Sequence, residues 1–271
     1  MSPPWTVMGV VNVTPDSFSD GGLWLDAAAA VRHGVELHAQ GAAVLDVGGE
    51  STRPGAAPVD EREELRRVLP VIEGLCAAAP GARLSIDTAK LAVAREALRA
   101  GASYVNDVTA FRGDPEMAEL VAQAGCECCL MHMRGEPRTM QDDPTYGDVV
   151  EEVGAFLEQR AQFAIARGVA PDRIQLDPGI GFGKTLEHNL ELLRRLDEIV
   201  ALGFPVVIGV SRKSFLGRLT GRSLAAERVA AGVAANVLAY ERGATVFRVH
   251  DVAETVDGLR VAAGTLACDE R

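Results

Sequence analysis

The chain has 271 residues, of which 48% are hydrophobic and 24% charged, with a formal net charge of -11. This length suits one large domain or two small ones, and a chain of this size buries roughly 75% of its unfolded surface. The acidic balance argues against a nucleic-acid-binding surface and leaves a small anionic substrate open, because such a ligand responds to local charge.

Met1 to Thr6 carries neither a basic nor a long apolar segment, and no apolar run reaches the ~18 residues of a membrane span. The five cysteines are odd in number and lack a disulfide spacing, so a cytoplasmic protein without membrane or nucleic-acid partners is expected. Val7 to Val13 is a β-branched run with Asn12 near its end, followed by a polar loop, Thr14 to Gly22. An Ala-rich helix is predicted from Leu25 to Gln40, closed by Gly41. A second strand, Ala43 to Val47, leads into Gly48 to Gly55. The charge run after it, from Glu61 to Arg67, reads as a solvated helix face, since Glu63 and Arg67 stand four apart. Strand three, Arg83 to Ile86, ends at Asp87-Thr88, and strand four, Tyr104 to Val105, ends at Asn106-Asp107. Strand five, Glu127 to Met131, ends at His132. Cys126, Cys128 and Cys129 cluster there; buried small hydrophobes fit them better than a metal site, which is the alternative. A long polar connection and a helix ending near Gly168 follow. Strand six opens at Arg173 and stops abruptly at Asp177-Pro178, before Gly179, Gly181 and Gly183. Strand seven, Val206 to Val210, ends at Ser211 to Ser214, and strand eight, Val246 to Val249, at His250. The last helix runs from Ala253 to Leu266.

Eight strands, each followed by a helical pattern, predict one closed (β/α)8 TIM barrel spanning residues 1–271, with no linker or composition break. The strands are short continuous apolar runs, as parallel strands covered on both faces are. An open doubly wound sheet is the structural alternative. In a parallel barrel the carboxyl ends of all strands meet at one mouth. Here the mouth would carry Asn12, Thr52, Arg53, Asp87, Asn106, His132, Asp177, Lys213 and His250, with Arg248 two residues before His250 and on the same side of its strand. Each has a plain alternative: Asp87-Thr88 as a helix cap, Asn12 as a loop partner, a histidine as structural. Asp87, Asn106 and Asp177 suit a neutral heterocycle rich in N–H donors. Arg53, Lys213, Arg248 and His250 suit an anion, most plausibly a phosphate or diphosphate.

Gly183-Lys184-Thr185 is similar to the end of a phosphate-binding loop, but the glycine needed five positions before Gly183 is Pro178. A dinucleotide fingerprint fails as well, since Lys184 stands where its third glycine belongs.

Longer blocks carry a resemblance. Val11 to Gly22, Asp46 to Gly55, Ser85 to Thr88, Asn106 to Val108, Met131 to Met133, Asp177 to Lys184, Ser211 to Gly217 and Arg248 to Val252 resemble the signatures of dihydropteroate synthases, in the family's order. The resemblance implies a (β/α)8 barrel, usually a homodimer, that joins 6-hydroxymethyl-7,8-dihydropterin diphosphate to p-aminobenzoate, with Mg2+ at the diphosphate. By the same resemblance the pterin falls to Asp87, Asn106, Met131, Asp177, Phe182 and Lys213. The diphosphate falls to Asn12, Thr52, Arg248 and His250, with Asn12 also on the metal. The p-aminobenzoate falls to Thr52, Arg53, Pro54, Phe182, Lys213 and Ser214, and catalysis to Asp87, Lys213, Arg248 and His250. A corrinoid-linked methyltetrahydrofolate methyltransferase and a non-catalytic pterin-binding paralogue are the alternatives. The Ser51-Thr52-Arg53-Pro54 loop and the Ser211 to Phe215 segment argue against the first.

Overall fold

The computed structural model describes residues 4–14, 23–51, 57–136 and 138–267. Its elements follow one another as strand and helix. They begin with β1 (Thr6–Asn12), α1 (Leu23–Ala39), β2 (Val44–Gly48), α2 (Glu61–Ala78), β3 (Arg83–Asp87) and α3 (Leu91–Arg99). Then come β4 (Tyr104–Asp107), α4 (Met117–Ala124), β5 (Glu127–Met131), α5 (Val149–Ala166) and β6 (Ile174–Asp177). The helical segment after β6 is split into α6 (Leu186–Arg194) and α7 (Leu196–Val200), and then come β7 (Val207–Ile208), α8 (Ser214–Thr220), α9 (Val229–Glu241), β8 (Val246–Val249) and α10 (Val252–Leu266).

All paired strands are parallel, in the order β6-β5-β4-β3-β2-β1-β8-β7. A parallel bridge between Leu176 and Val206 joins the two ends, so the sheet closes and the open doubly wound alternative is wrong. Strand seven is shorter than its apolar run: Val207–Ile208 rather than Val206 to Val210. Strand four is longer than its apolar core, because Asn106 and Asp107 continue the pairing with β5.

Closure sorts each strand into an outer and an inner row. Leu45, Val47, Ile86, Val105, Cys128, Leu130, Leu176 and Phe247 lie in the core shared with the helices. Met8, Val44, Tyr104, Cys129, Val207 and Val246 form a separate cluster that plugs the barrel interior. Cys126 and Cys128 therefore face the helices while Cys129 faces inward, so the three thiols lie on two sides of one strand and cannot share a metal. Burial pushes the Cys126 thiol up to about 11.

Above the plug the inner row turns polar. Tyr104 donates to Gln175 Oε1 at 2.8 Å, and Ser85 Oγ donates to Asp46 Oδ1 at 2.5 Å. The next inner positions are the strand ends. Helix α2 departs from the solvated face expected of it. Glu63 and Arg67 pair at 2.8 Å as their spacing predicts, but Glu64 beside them is wholly buried.

Candidate active site

The inner row ends in a slot. Asp87, Asn106, Met131 and Asp177 stand at the ends of four successive strands, and Arg248 and His250 close the ring from β8. Gly179, Ile180 and Phe182 line it from the loop after β6, and Gly209, Ser211 and Lys213 from the chain after β7. One wall is apolar: Val108 and Met131 pack with Met133 and Met140, and Phe182 lies against them. The opposite edge is polar and buried, with Asp177, Asn106 and Asp87 at 6%, 6% and 8% exposure. A flat ring with N–H groups along one edge fits such a slot. A larger groove, about 750 Å3, lies on the outer surface between α3 and α4, but no buried polar groups converge there.

The charges in the slot are arranged around Arg248. Its Nε donates to Asp46 Oδ2 at 2.6 Å and its Nη2 to Asp87 Oδ2 at 2.7 Å. Asp46 Oδ2 also accepts from Asn106 Nδ2 at 3.1 Å, which leaves the Asn106 carbonyl oxygen to meet a ligand. Asp177 Oδ1 accepts the Gly179 N–H at 2.6 Å. Burial raises Asp177, against the pull of that N–H, Lys213 and Arg248. Burial pushes Asp87 up to about 7, against the pull of Arg248. It pushes Lys213 down to about 7, opposed by the charge of Asp177. One guanidinium faces two carboxylates, and the second carboxylate keeps its proton to near neutrality.

That assignment has a sign that can be measured. With its folded-state pKa above the unfolded one, Asp87 makes the folded protein bind more protons between about pH 4 and 7, so stability falls as pH rises through that window. The unfolding free energy of wild type minus that of Asp87→Asn, from urea unfolding, should fall by on the order of 1–4 kcal/mol from pH 4 to 7. A difference that grows instead would mean that the Arg248 pairing outweighs burial.

The three alternating glycines of the β6 loop are required by close approach. Gly179 has φ 66°, and a Cβ there would lie 1.9 Å from the His132 carbonyl oxygen. Gly183 has φ 63°, with its Cβ position 2.4 Å from the Arg134 carbonyl oxygen. No L side chain fits either place. The loop so seated presents its Ile180 carbonyl to Lys213 Nζ at 2.6 Å and the Phe182 ring under the same ammonium at 3.9 Å.

Residues 8–250 match the family described as pterin binding enzyme. Dihydropteroate synthase of Neisseria meningitidis serogroup B is 49% identical over 260 residues, covering 94% of this chain and 90% of that one. The Escherichia coli K12 dihydropteroate synthase is 46% identical over 265 residues, covering 97% and 93%. A solved structure of Xanthomonas albilineans dihydropteroate synthase with 4-aminobenzoic acid superposes with a TM-score of 0.91 at 51% identity, covering 97% and 93%. The chain belongs to the dihydropteroate synthases. A second structure of the Xanthomonas enzyme, in complex with 7,8-dihydropteroate, has a TM-score of 0.88 at 48% identity.

Against this family frame the remaining site residues sort unevenly. Asn12 is the last residue of β1, half-buried, and by parity with Met8 and Val10 it faces inward. His250 donates its backbone N–H to Ser211 Oγ, and its Nδ1 lies 3.1 Å from the same oxygen. Ser214 is the exposed first residue of α8. Thr52, Arg53 and Pro54 lie outside the described residues. His132, expected at the mouth, does not line the slot. It follows Met131 on β5, so its side chain takes the opposite side of the strand. There it accepts from buried Lys184 at 2.9 Å and meets Phe156 edge-on at 4.9 Å; burial drives its ring down to about 2. Lys184 is thus a brace beneath the β6 loop, also bonded to the Phe182 carbonyl at 3.0 Å. Arg212 turns away as well, its φ of 60° aiming it at Asp251 with bonds of 3.1 and 2.5 Å. Two polar contributors were not foreseen as site residues. Ser211 holds His250, and Asp46 holds both Arg248 and Asn106 from one layer below. An acid between Leu45 and Val47 in an apolar strand was the available signal for Asp46.

Proposed function

We propose that the slot binds the pterin of 6-hydroxymethyl-7,8-dihydropterin diphosphate by its edge, with Asp177 and Asn106 accepting the amino-pyrimidinone N–H groups. The protein is a transferase of folate synthesis, joining that diphosphate to p-aminobenzoate to give 7,8-dihydropteroate and diphosphate. One observation carries the binding mode: two buried acceptors face an apolar wall of Met131 and Phe182 across a single slot, with Arg248 and His250 beside them.

The chemistry asks little of a nucleophile in the protein. The methylene C–O bond breaks with its electron pair leaving on diphosphate, and the cation left behind is delocalised into the pterin ring. The aniline nitrogen attacks with its own lone pair and then sheds a proton, so positioning and electrostatics suffice. Arg248 and His250 stabilise the negative charge that departs. Asp87, which ionises at about pH 7, then lies close enough to favour the cation. Lys213, already poised over Phe182, hydrogen-bonds the pterin and with Ser214, Thr52, Arg53 and Pro54 orders the arylamine.

Mg2+ belongs with the diphosphate in this reading. The chain's donor set fits it: Asn12 offers one inward amide oxygen, and Mg2+ commonly takes one or two protein oxygens with phosphates and waters completing its shell. When bound, the ion neutralises charge on the leaving group.

We also propose a homodimer and a cytoplasmic location. Leu238 on α9 and Val261 on α10 are 48% and 72% exposed, and α9 carries no charged side chain from Val229 to Tyr240, which gives a second copy an apolar face to cover. Light scattering at a mass of two chains supports this assembly, and a mass of one chain overturns it. No helix among the described residues is long and apolar enough to cross a membrane.

The test of the activity is mass-spectrometric detection of dihydropteroate from the purified protein, the pterin diphosphate and p-aminobenzoate, with and without Mg2+. Product that requires the protein and both substrates supports the synthase, and metal dependence supports the diphosphate site. Binding of the pterin diphosphate without product would favour a non-catalytic paralogue. Identity to synthases over nearly the whole chain weighs against the methyltransferase.

A further inference from the structure

Strands β7 and β8 pair side by side, and the chain beyond each contributes a slot residue, Lys213 and His250. Two contacts sew these tails together. Ser211 Oγ accepts the His250 N–H at 3.1 Å, and one residue on, Arg212 forks onto Asp251 through Nε at 3.1 Å and Nη2 at 2.5 Å. Neither Arg212 nor Asp251 lines the slot, although Ser211, Lys213 and His250 beside them do. The Lys213 N–H donates to the Val210 carbonyl at 3.2 Å, closing a four-residue turn with Arg212 at its third position and a φ of 60°. A positive φ at that position favours glycine, and a long side chain keeps it only where the surroundings impose it. Here they grip the residue at both ends. The fork takes the side chain, and Arg228 Nη1 donates to the Arg212 carbonyl at 2.9 Å. Arg228 also bonds the Arg222 carbonyl through Nε at 3.1 Å, and Gly217 makes room for it: a Cβ there would lie 2.6 Å from that nitrogen. The Asp251 side chain is only 13% exposed, so little water can replace the guanidinium it holds. The turn so fixed delivers Lys213, whose Nζ reaches the Ile180 carbonyl at 2.6 Å.

We propose that Asp251, by its fork on Arg212, is a positioning residue that keeps Lys213 aimed into the slot. This rests on the reading that Lys213 binds the pterin there. The effect is conformational: without the fork an arginine has no reason to keep its positive φ, and the peptide leading into Lys213 turns over. A glycine at 212 would keep that φ with no fork at all. One substitution should therefore suppress another.

Asp251→Ala should speed exchange of the Lys213 amide hydrogen at least about tenfold and raise the Kd for the pterin diphosphate about tenfold. Arg212→Gly alone should stay within about threefold of wild type in both, and Arg212→Gly combined with Asp251→Ala should return to within about threefold of Arg212→Gly. Any effect of the lost acid on α10 or on His250 is shared by the single and double variants, so suppression reports residue 212 alone. A fork that served stability only would leave the double variant at least as impaired as Asp251→Ala. An Arg212 charge that met the ligand would make Arg212→Gly the worse of the two single variants. Either result overturns the positioning role, as does unchanged Lys213 exchange in Asp251→Ala. If Asp251→Ala does not fold, Asp251→Asn carries the same comparison, since its amide oxygen keeps one bond of the fork. Lys213→Met that binds the pterin diphosphate as tightly as wild type overturns the reading of Lys213 instead, and the exchange pattern across the three variants still decides the fork.

Discussion

Asp177→Asn is expected to weaken pterin diphosphate binding by about 100-fold to 1,000-fold without unfolding the protein. The asparagine fills the same volume, and its carbonyl oxygen can still accept the Gly179 N–H that Asp177 Oδ1 accepts at 2.6 Å. What changes is the atom turned to the ligand. An acceptor that takes charge-assisted bonds from the pyrimidinone edge becomes an NH2 donor facing other donors. Losing charge-assisted bonds and leaving a donor unpaired is worth roughly 3–4 kcal/mol, which corresponds to that range of affinity. Stability should not fall, because burial already works against the Asp177 charge and raises its pKa. Calorimetric titration with the pterin diphosphate, beside a thermal melt, measures both. An affinity within fivefold of wild type, from a normally melting variant, would remove Asp177 from the pterin edge.

Arg248→Ala should injure two properties at once. Arg248 is the shared partner of Asp46, which has no exposed surface, and of Asp87, at 2.6 and 2.7 Å. Removing it strands buried carboxylates, and breaking one side of a buried pair typically costs about 3–5 kcal/mol. The urea midpoint should fall accordingly. Ligand binding separates the second effect from the first. Diphosphate capture should weaken more than binding of the free hydroxymethyl pterin, since only the former meets the lost guanidinium. Arg248→Lys refines the test: it keeps a charge but cannot serve Asp46 and Asp87 through two fixed N–H bonds. It should recover part of the stability and little of the diphosphate preference. Equal losses for both ligands would sink the assignment of Arg248 to the leaving group.

The slot was legible in the sequence to the extent that strand ends are. Asp87, Asn106, Asp177 and Arg248 each terminate or nearly terminate a short apolar run, and chain direction alone brings such ends to one mouth once the strands are parallel. The glycines at 179, 181 and 183 were legible as a need for close backbone approach, although not as a need to clear the His132 and Arg134 carbonyls. His132 was misplaced for a simple reason, and Arg212 shows the same choice. A residue just past a strand end has two sides to choose from, and neighbouring positions alternate between them. His132 took the helix side and braces Lys184; Arg212 took the side of Asp251.

The sequence by itself determined the family, the βα rhythm, the parallel barrel and the candidate set at its mouth, because those depend on local runs and on signatures that stay contiguous along the chain. Only the tertiary structure decided which polar groups meet across the barrel. Asp46 and Arg248 are 202 positions apart and become partners when β2 and β8 flank β1 in a closed sheet. Glu64 sits in a charge run that any helical wheel would leave in solvent, yet it is buried because α2 lies over Gly49 and Lys90 comes from the far side of β3. Burial then determines the chemistry. Taking Asp87 and Lys213 out of water moves both toward neutrality, and that change depends on how the surrounding strands close rather than on any residue beside them in the chain.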